Sequence, residues 1–346
     1  MRILVIRPGA LGDVLLTLPA LEKLQAKFPE AAIELMGDPT VLHLLLGRSV
    51  VSSVSSFDQT DLVVLFQAAA TPGPFLQSYL DSFDLIISYA TSPEHVFARN
   101  LAHVARGTVL SFDARPAPNL HMHMSEYLQQ PLRELGVTAC AELPRLILTA
   151  TDQREAEQWW QEHDLGNQCV VAIHPGSGSA TKNWPVARFA AVAQHLWRAR
   201  GVRILLLSGP ADASAVAEVQ QALDGQGYIL LPDYPLPLLA SILAHCQAYL
   251  GNDSGVSHLA AAMGTPTVAI FGPTDADVWA PRGKSVHIVR GAAPCAPCSA
   301  EQRRGCRQRV CLEAVSTDAV FTVLQSTMDF QSAPVKTSEV SKTLEL

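Results

Sequence analysis

The spacing of apolar positions changes period repeatedly along the chain. Residues 3–6 form a continuous apolar run of strand length, followed by a loop carrying two glycines. Leu18, Leu21, Leu24 and Phe28 then recur at three- and four-residue steps, the stripe of an amphipathic helix. Residues 32–36, 62–66 and 85–89 are further strand-like runs. Short apolar runs alternating with helical stripes predict a parallel sheet covered by helices. Residues 149–167 are polar and charged, and read as a helix plus loop.

The pattern then restarts. Strands are predicted at 169–173, 202–207, 228–231, 248–250 and 267–271, with a helix over 186–200 and a last helix over 317–328. From about 331 the chain is polar and aperiodic, which predicts disorder. The expected organisation is α/β throughout. Two doubly wound, Rossmann-like domains, 1–150 and 169–330, flank a linker at 151–168 and precede a tail at 331–346, the last helix being free to dock on either domain. Open α/β sheets bind ligands beyond the carboxyl ends of their strands, so the chemistry is expected in the strand-to-helix loops of a central cleft.

Composition narrows the class. A chain of 346 residues suits two domains of roughly 150 each, and 48% hydrophobic against 16% charged residues is globular. The net charge of −7 argues against nucleic acid as a partner, which would need a basic face. The N-terminal apolar run stops at Arg7, too short for a signal peptide, and no run reaches the roughly 18 apolar residues of a membrane span. A cytoplasmic protein is expected, its seven cysteines reduced unless some hold metal.

Four loops carry candidate chemistry. "GALGD", Gly9 to Asp13, lacks the third glycine of the dinucleotide fingerprint, which disfavours an oxidoreductase. Asp13 is read either as the cap that begins the next helix or as a base for a hydroxyl proton. Pro19 removes one backbone donor from that helix unless its first turn is irregular. "HPGSGSATKNWP", His174 to Pro185, offers backbone amides, the hydroxyls of Ser177, Ser179 and Thr181, and the charge of Lys182. These suit a phosphate, although the order is not that of a P-loop, and a flexible surface loop is the alternative. "GNDSGVSHLAAAMGTP" starts a helix near Asp253, Ser254 and Gly255, a position that favours an anion. Asp253 is read equally as a cap. His258 is about 200° around from Val256, and so is predicted to point away from the stripe of Val256, Leu259, Ala260 and Met263. "FGPTDADVWAPRG" follows another strand and brings Thr274 toward the same cleft.

Together with "HMSEYLQQPLRELGV", these stretches resemble glycosyltransferase family 9, the lipopolysaccharide heptosyltransferases and their relatives, over roughly residues 1–328. The resemblance implies the GT-B fold and inverting transfer without a catalytic metal or other cofactor. It implies that Asp13 is the general base toward the acceptor hydroxyl and that Lys182 contacts the donor diphosphate. Ser177 and Gly178 match positions around that phosphate, and Asp253, Ser254, Gly255 and His258 match the donor-binding helix start. Asp212, in "GPADA", is implied to lie near the ribose. His123 matches a recurrent histidine of open role. Gly9 and Gly12 belong to the acceptor-side loop. The implied partners are a nucleotide sugar such as ADP-heptose and a glycolipid or lipopolysaccharide-type acceptor, with peripheral contact at the cytoplasmic face of the inner membrane. Competing functions are a transferase using another nucleotide sugar and a non-catalytic nucleotide-sugar-binding module.

Two features depart from a simple match. Residues 1–150 hold ten Lys or Arg against fourteen Asp or Glu and no cationic run, whereas an anionic inner-core acceptor calls for basic residues. The segment "CAPCSAEQRRGCRQRVC" carries Cys295, Cys298, Cys306 and Cys311, of which the first pair has zinc-like spacing. A structural zinc site and a loop of reduced or disulfide-linked cysteines are both open readings. Arg303, Arg304, Arg307 and Arg309 make the same segment basic, either as a solvated face or as a surface meeting lipid or acceptor.

Overall fold

The computed structural model describes residues 1–58, 61–68, 70–117, 120–166, 168–209 and 212–332. Its first half builds a parallel sheet from β1 (Arg2–Ile6), β2 (Ala32–Gly37), β3 (Val51–Ser56), β4 (Leu85–Ser88) and β5 (Thr108–Ser111), in the order β3-β2-β1-β4-β5. The second half builds another from β6 (Val170–His174), β7 (Arg203–Ser208), β8 (Tyr228–Pro232), β9 (Ala248–Asn252), β10 (Thr267–Phe271) and β11 (Val286–Arg290), in the order β11-β10-β9-β6-β7-β8. Every strand pair is parallel.

The central strands are apolar without interruption because both of their faces are covered. Ile3 and Val5 pack on one side with Leu21 and Leu24, while Leu4 and Ile6 pack on the other with Leu76, Phe97 and Leu101. In β6, Val171 and Ile173 pack with Trp184 and Phe189. Val170 and Ala172 join the core that also holds Ile3 and Val5, so apolar packing runs unbroken from one half to the other.

Each sheet reverses its winding at one place. In the first sheet this falls between β1 and β4, and in the second between β6 and β9. Crevices open at such switch points because the helices that follow the two central strands leave to opposite faces. The loops after β1, β6 and β9 are the ones that carry "GALGD", "HPGSGSATK" and "NDSG". His174 pairs with Gly251, which sets the last two loops side by side.

The strand pattern has one clear correction. Residues 62–66 are not a strand: Asp61–Phe66 is a 3-10 segment that buries Leu62 and Leu65, three apart, and leaves Val63 exposed. The third strand is β3, whose "VSSVSS" is too polar to read as an apolar run. β5 and β11 were also not foreseen, and all three missed strands lie at sheet edges. The helix Thr317–Ser332 packs on the helix Val186–Arg200 and on β9, β10 and β11, which places it on the second sheet. The tail from 333 onward lies outside the described residues. Of the segment between the halves, the helix Ala150–Glu162 packs on the helix Leu236–Ala244. Its Asp152 accepts a 2.8 Å hydrogen bond from Nε of Arg48, tying it back to the first half.

Candidate functional site

β1 ends at Ile6, and the backbone turns through Gly9 at φ +154°, a region that strongly favours glycine. Asp13 then falls in the first turn of the short helix Leu11–Leu15, whose cap is Ala10. Asp13 is therefore not the N-cap. It sits three residues in, and its Oδ2 accepts a 3.0 Å hydrogen bond from the backbone N–H of Ala10. Its Oδ1 accepts from Nη2 of Arg7 at 3.2 Å. Arg7 is itself fixed, donating from Nε to Thr17 Oγ1 at 3.0 Å and from Nη1 to Pro8 O at 2.9 Å. Burial lowers the Arg7 pKa, and the neighbouring carboxylate of Asp13 opposes that shift. Asp13 keeps about a third of its side chain in solvent while Arg7 is 5% exposed. The carboxylate is thus held from behind and open in front. Pro19 causes no break, because the chain starts a new helix at Leu18 and places the proline in its first turn.

The second half supplies the facing wall. Trp184, fully buried, donates from Nε1 to Val315 O at 3.0 Å and from its backbone N to Asn252 Oδ1 at 2.9 Å. Asn252 donates in turn to Pro175 O at 2.8 Å. These bonds lock the end of β9 to the loop after β6. Ser177 Oγ bonds Asn183 Oδ1 at 2.6 Å and Ser179 O at 2.8 Å, which folds that loop on itself. Lys182 ends a 3-10 turn, and its Nζ meets Asp253 Oδ2 at 2.8 Å. Asp253 does not cap the next helix. Ser254 holds the cap position, and the helix runs Gly255–Ala262.

Gly12, Asp13, Gly178, Ser179, Lys182, Asp253, Ser254, Gly255, His258 and Thr274 line one cavity of about 400 Å³. The two halves touch at its floor, where the helices Leu11–Leu15 and Gly255–Ala262 cross. A Cβ on Gly255 would lie 2.9 Å from Leu11 Cβ, so only glycine permits this approach. His258 is buried, because Gly12 of the other half covers it. Burial drives its pKa down to about 4, against the raising influence of Asp253 and Asp13. It is a neutral imidazole at neutral pH.

His123 joins the halves at another point. Its Nδ1 accepts from the backbone N of Ser125 at 3.2 Å, which leaves Nε2 to donate to Ala280 O at 2.8 Å. Burial lowers its pKa to about 4. Arg282 reinforces the contact by pairing with Glu126 at 2.7 Å.

Three expected site residues, Gly9, Asp212 and Ser177, are not among those that line the cavity. Asp212 is buried beneath the loop after β6, where its Oδ2 meets His174 Nε2 at 2.7 Å, and it packs against Gly176. Its carboxylate is engaged by His174 at the base of that loop. Ser177 is buried by the bonds just described and also lies off the cavity wall. The four cysteines Cys295, Cys298, Cys306 and Cys311 line one small cavity as free thiols. Among the described residues no group of three or more His, Cys, Asp or Glu is arranged to hold a metal ion, so the zinc reading finds no ligand set here. Burial raises the Cys298 and Cys311 thiol pKa values, and the neighbouring thiols add to it.

Three participants are not singled out by the sequence reading, and a fourth, Arg303, is read there only as part of a basic segment. Arg7 and Asn252 carry no motif weight singly, although each directly adjoins one. Trp279 and Arg303 also line the cavity, brought there by chain folding over long separations.

Residues 103–307 match the family model described as glycosyltransferase family 9 (heptosyltransferase). Lipopolysaccharide heptosyltransferase 3 of Escherichia coli is 24% identical over 291 residues, covering 78% of this chain and 83% of that protein. The glycosyltransferase family 9 structure from Veillonella parvula superposes with a TM-score of 0.77 at 20% identity, covering 95% and 97% of the two chains. The E. coli ADP-heptose lps heptosyltransferase II gives 0.75 at 21% identity, covering 96% and 100%. The two-sheet architecture facing a cleft is that of the GT-B fold shared with these structures.

Proposed function

The chain belongs to glycosyltransferase family 9 and is a glycosyltransferase, and from that premise we propose that it transfers heptose from ADP-heptose to a lipopolysaccharide core-type acceptor. One observation carries the reading: Asp13 of the first half and Lys182 of the second line the same cavity. Transfer needs a base at the incoming hydroxyl and positive charge at the departing diphosphate, and the two must face one another.

In the proposed step the acceptor oxygen attacks the anomeric carbon from the side opposite the diphosphate. The new C–O bond forms as the bond to the β-phosphate oxygen breaks. The hydroxyl proton passes to Asp13, and ADP leaves with the bonding pair. One displacement of this kind inverts the anomeric configuration. Arg7 and the Ala10 amide hold Asp13 in place, which reduces the reorganisation needed at the moment of transfer. Lys182 and the N-terminus of the helix Gly255–Ala262 receive the diphosphate charge. Ser254 and the amides near Gly178 serve the same group. Neutral His258 adds no charge of its own and packs the floor against Gly12. Lys182 and the helix terminus would compensate the leaving charge without a divalent cation.

The donor assignment is supported by the similar E. coli protein described as an ADP-heptose heptosyltransferase. Among the described residues no helix is long and apolar enough to cross a membrane. Val63, Phe66 and Phe75 are exposed apolar side chains of the first half. They suit peripheral contact with the cytoplasmic face of the membrane that holds a glycolipid acceptor. The test is incubation with ADP-heptose, other nucleotide sugars and a truncated core acceptor, with products read by mass spectrometry. A mass gain of one heptose, only with ADP-heptose, is the expected result. Transfer of a different sugar would replace the donor, and binding without any transfer would leave a nucleotide-sugar-binding module.

A further inference from the structure

The cavity wall contains one cation that the proposed mechanism leaves unused. Asp13 is held by Arg7, and Lys182 is held by Asp253. Arg303 lines the same cavity, is half-buried, and its guanidinium makes no hydrogen bond or ion pair among the described residues. An arginine half-withdrawn from water without a partner retains a desolvated fork of donors, the group best shaped for carboxylate or phosphate oxygens.

Its position is built rather than incidental. Arg303 sits on the short helix Ala300–Gly305, which begins with a reciprocal cap. Ser299 Oγ accepts from Gln302 N at 3.2 Å, and Gln302 Oε1 accepts from Ser299 N at 2.7 Å. Just before it, Cys298 N donates to Pro273 O at 2.8 Å, beside the cavity residue Thr274. Just after it, Arg309 Nη1 donates at 3.3 Å to both Ala180 O and Asn183 O, on either side of Lys182. The segment therefore spans from the loop after β10 to the loop after β6, with Arg303 between its two anchors. Arg303 also borders the cavity lined by the four cysteines, so that cavity lies directly behind it.

We propose that Arg303 binds an anionic group, phosphate or carboxylate, of the acceptor, and so supplies from the second half the positive charge that residues 1–150 lack. This rests on the lipopolysaccharide-type acceptor proposed above. The donor diphosphate already faces Lys182 and the Gly255 helix terminus, which leaves Arg303 to the acceptor. Arg304 on the same helix is exposed and does not line the cavity.

The experiment is steady-state kinetics with a deacylated, truncated lipopolysaccharide core as acceptor, together with calorimetry of ADP binding. Arg303→Ala is expected to raise the acceptor KM about 10- to 100-fold, the size of a lost charged hydrogen bond. ADP affinity should stay within about twofold, Arg303→Lys should recover part of the loss, and Arg304→Ala should match the unsubstituted protein. Enzymatic removal of the acceptor phosphates then separates the sources. Loss of the difference between Arg303→Ala and the unsubstituted protein assigns a phosphate, and its persistence assigns a carboxylate. An unchanged acceptor KM in Arg303→Ala overturns the arginine's role alone. A loss of ADP affinity in place of acceptor affinity moves Arg303 to the donor and overturns it as well. An unsubstituted protein that binds ADP but no core oligosaccharide overturns the acceptor class, and this assignment with it.

Discussion

Arg7 Nη2 lies 3.2 Å from Asp13 Oδ1, and the buried guanidinium fixes a carboxylate whose other face stays open to the cavity. Asp13→Asn keeps the side chain's shape but cannot take a proton at neutral pH. Transfer is expected to fall by about 10² to 10⁴ in kcat, the usual worth of a general base. ADP affinity should be unchanged by calorimetry. Near-normal turnover would sink the base assignment. Arg7→Gln, which frees the carboxylate to swing, is expected to cost up to about 10² in kcat through misplacement alone.

Lys182 and Asp253 form the corresponding pair on the donor side, 2.8 Å apart. Lys182→Ala removes the cation nearest the expected diphosphate and leaves Asp253 repelling it. ADP should bind about 10- to 100-fold more weakly, and raised salt should weaken binding less than in the unsubstituted protein. Equal ADP affinity in calorimetry would contradict the phosphate role.

Two of the buried histidines, His123 and His258, make stability depend on pH. His123 and His258 have folded-state pKa values of about 4, lowered by burial from an unfolded value near 6.5. Between those values the unfolded chain binds more protons than the folded one, so acid favours unfolding. The stabilisation from their neutral forms is complete above pH 6.5 and declines as pH falls toward 4. Each contributes about 3 kcal/mol at most. The urea midpoint should therefore drop between pH 7 and pH 4.5, and less steeply in His123→Gln. A midpoint flat across that range would count against neutral burial of these rings.

Trp184 ties the loop after β6 to β9 and to Val315. Trp184→Phe should keep most of the packing and lose the bond to Val315, costing about 1–3 kcal/mol. Trp184→Ala should cost about 3–5 kcal/mol by thermal or denaturant unfolding. In the phenylalanine variant that folds, ADP affinity should fall, because the loop bearing Lys182 loses its tie to Val315 and keeps only the backbone bond to Asn252. Lost stability with unaltered ADP affinity would make the residue purely a core component.

The apolar rhythm located the central strands and the helix Val186–Arg200 to within about two residues. It failed at β3, β5 and β11, each an edge strand. An edge strand has fewer neighbours to exclude water, so selection for a continuous apolar run is weak there. The false strand at 62–66 shows the converse: a short apolar run does not state its own period when only two of its side chains are buried.

The site divides in the same way. The sequence by itself determined which loops follow central strands, and therefore that Asp13, Lys182, Asp253 and His258 reach a strand-end crevice. Local chemistry, glycine turns and helix starts are written within a few residues. What only the tertiary structure decided are relations between distant segments. Arg7 becomes Asp13's clamp and Asp253 becomes Lys182's partner, while Asp212 turns away to His174. His258 is buried by a helix almost 250 residues earlier in the chain, and Arg303 arrives on a loop anchored at both ends of the donor wall. Periodicity reports whether a face is covered, but not by what, because the covering surface is set by packing between the two halves rather than by any local pattern.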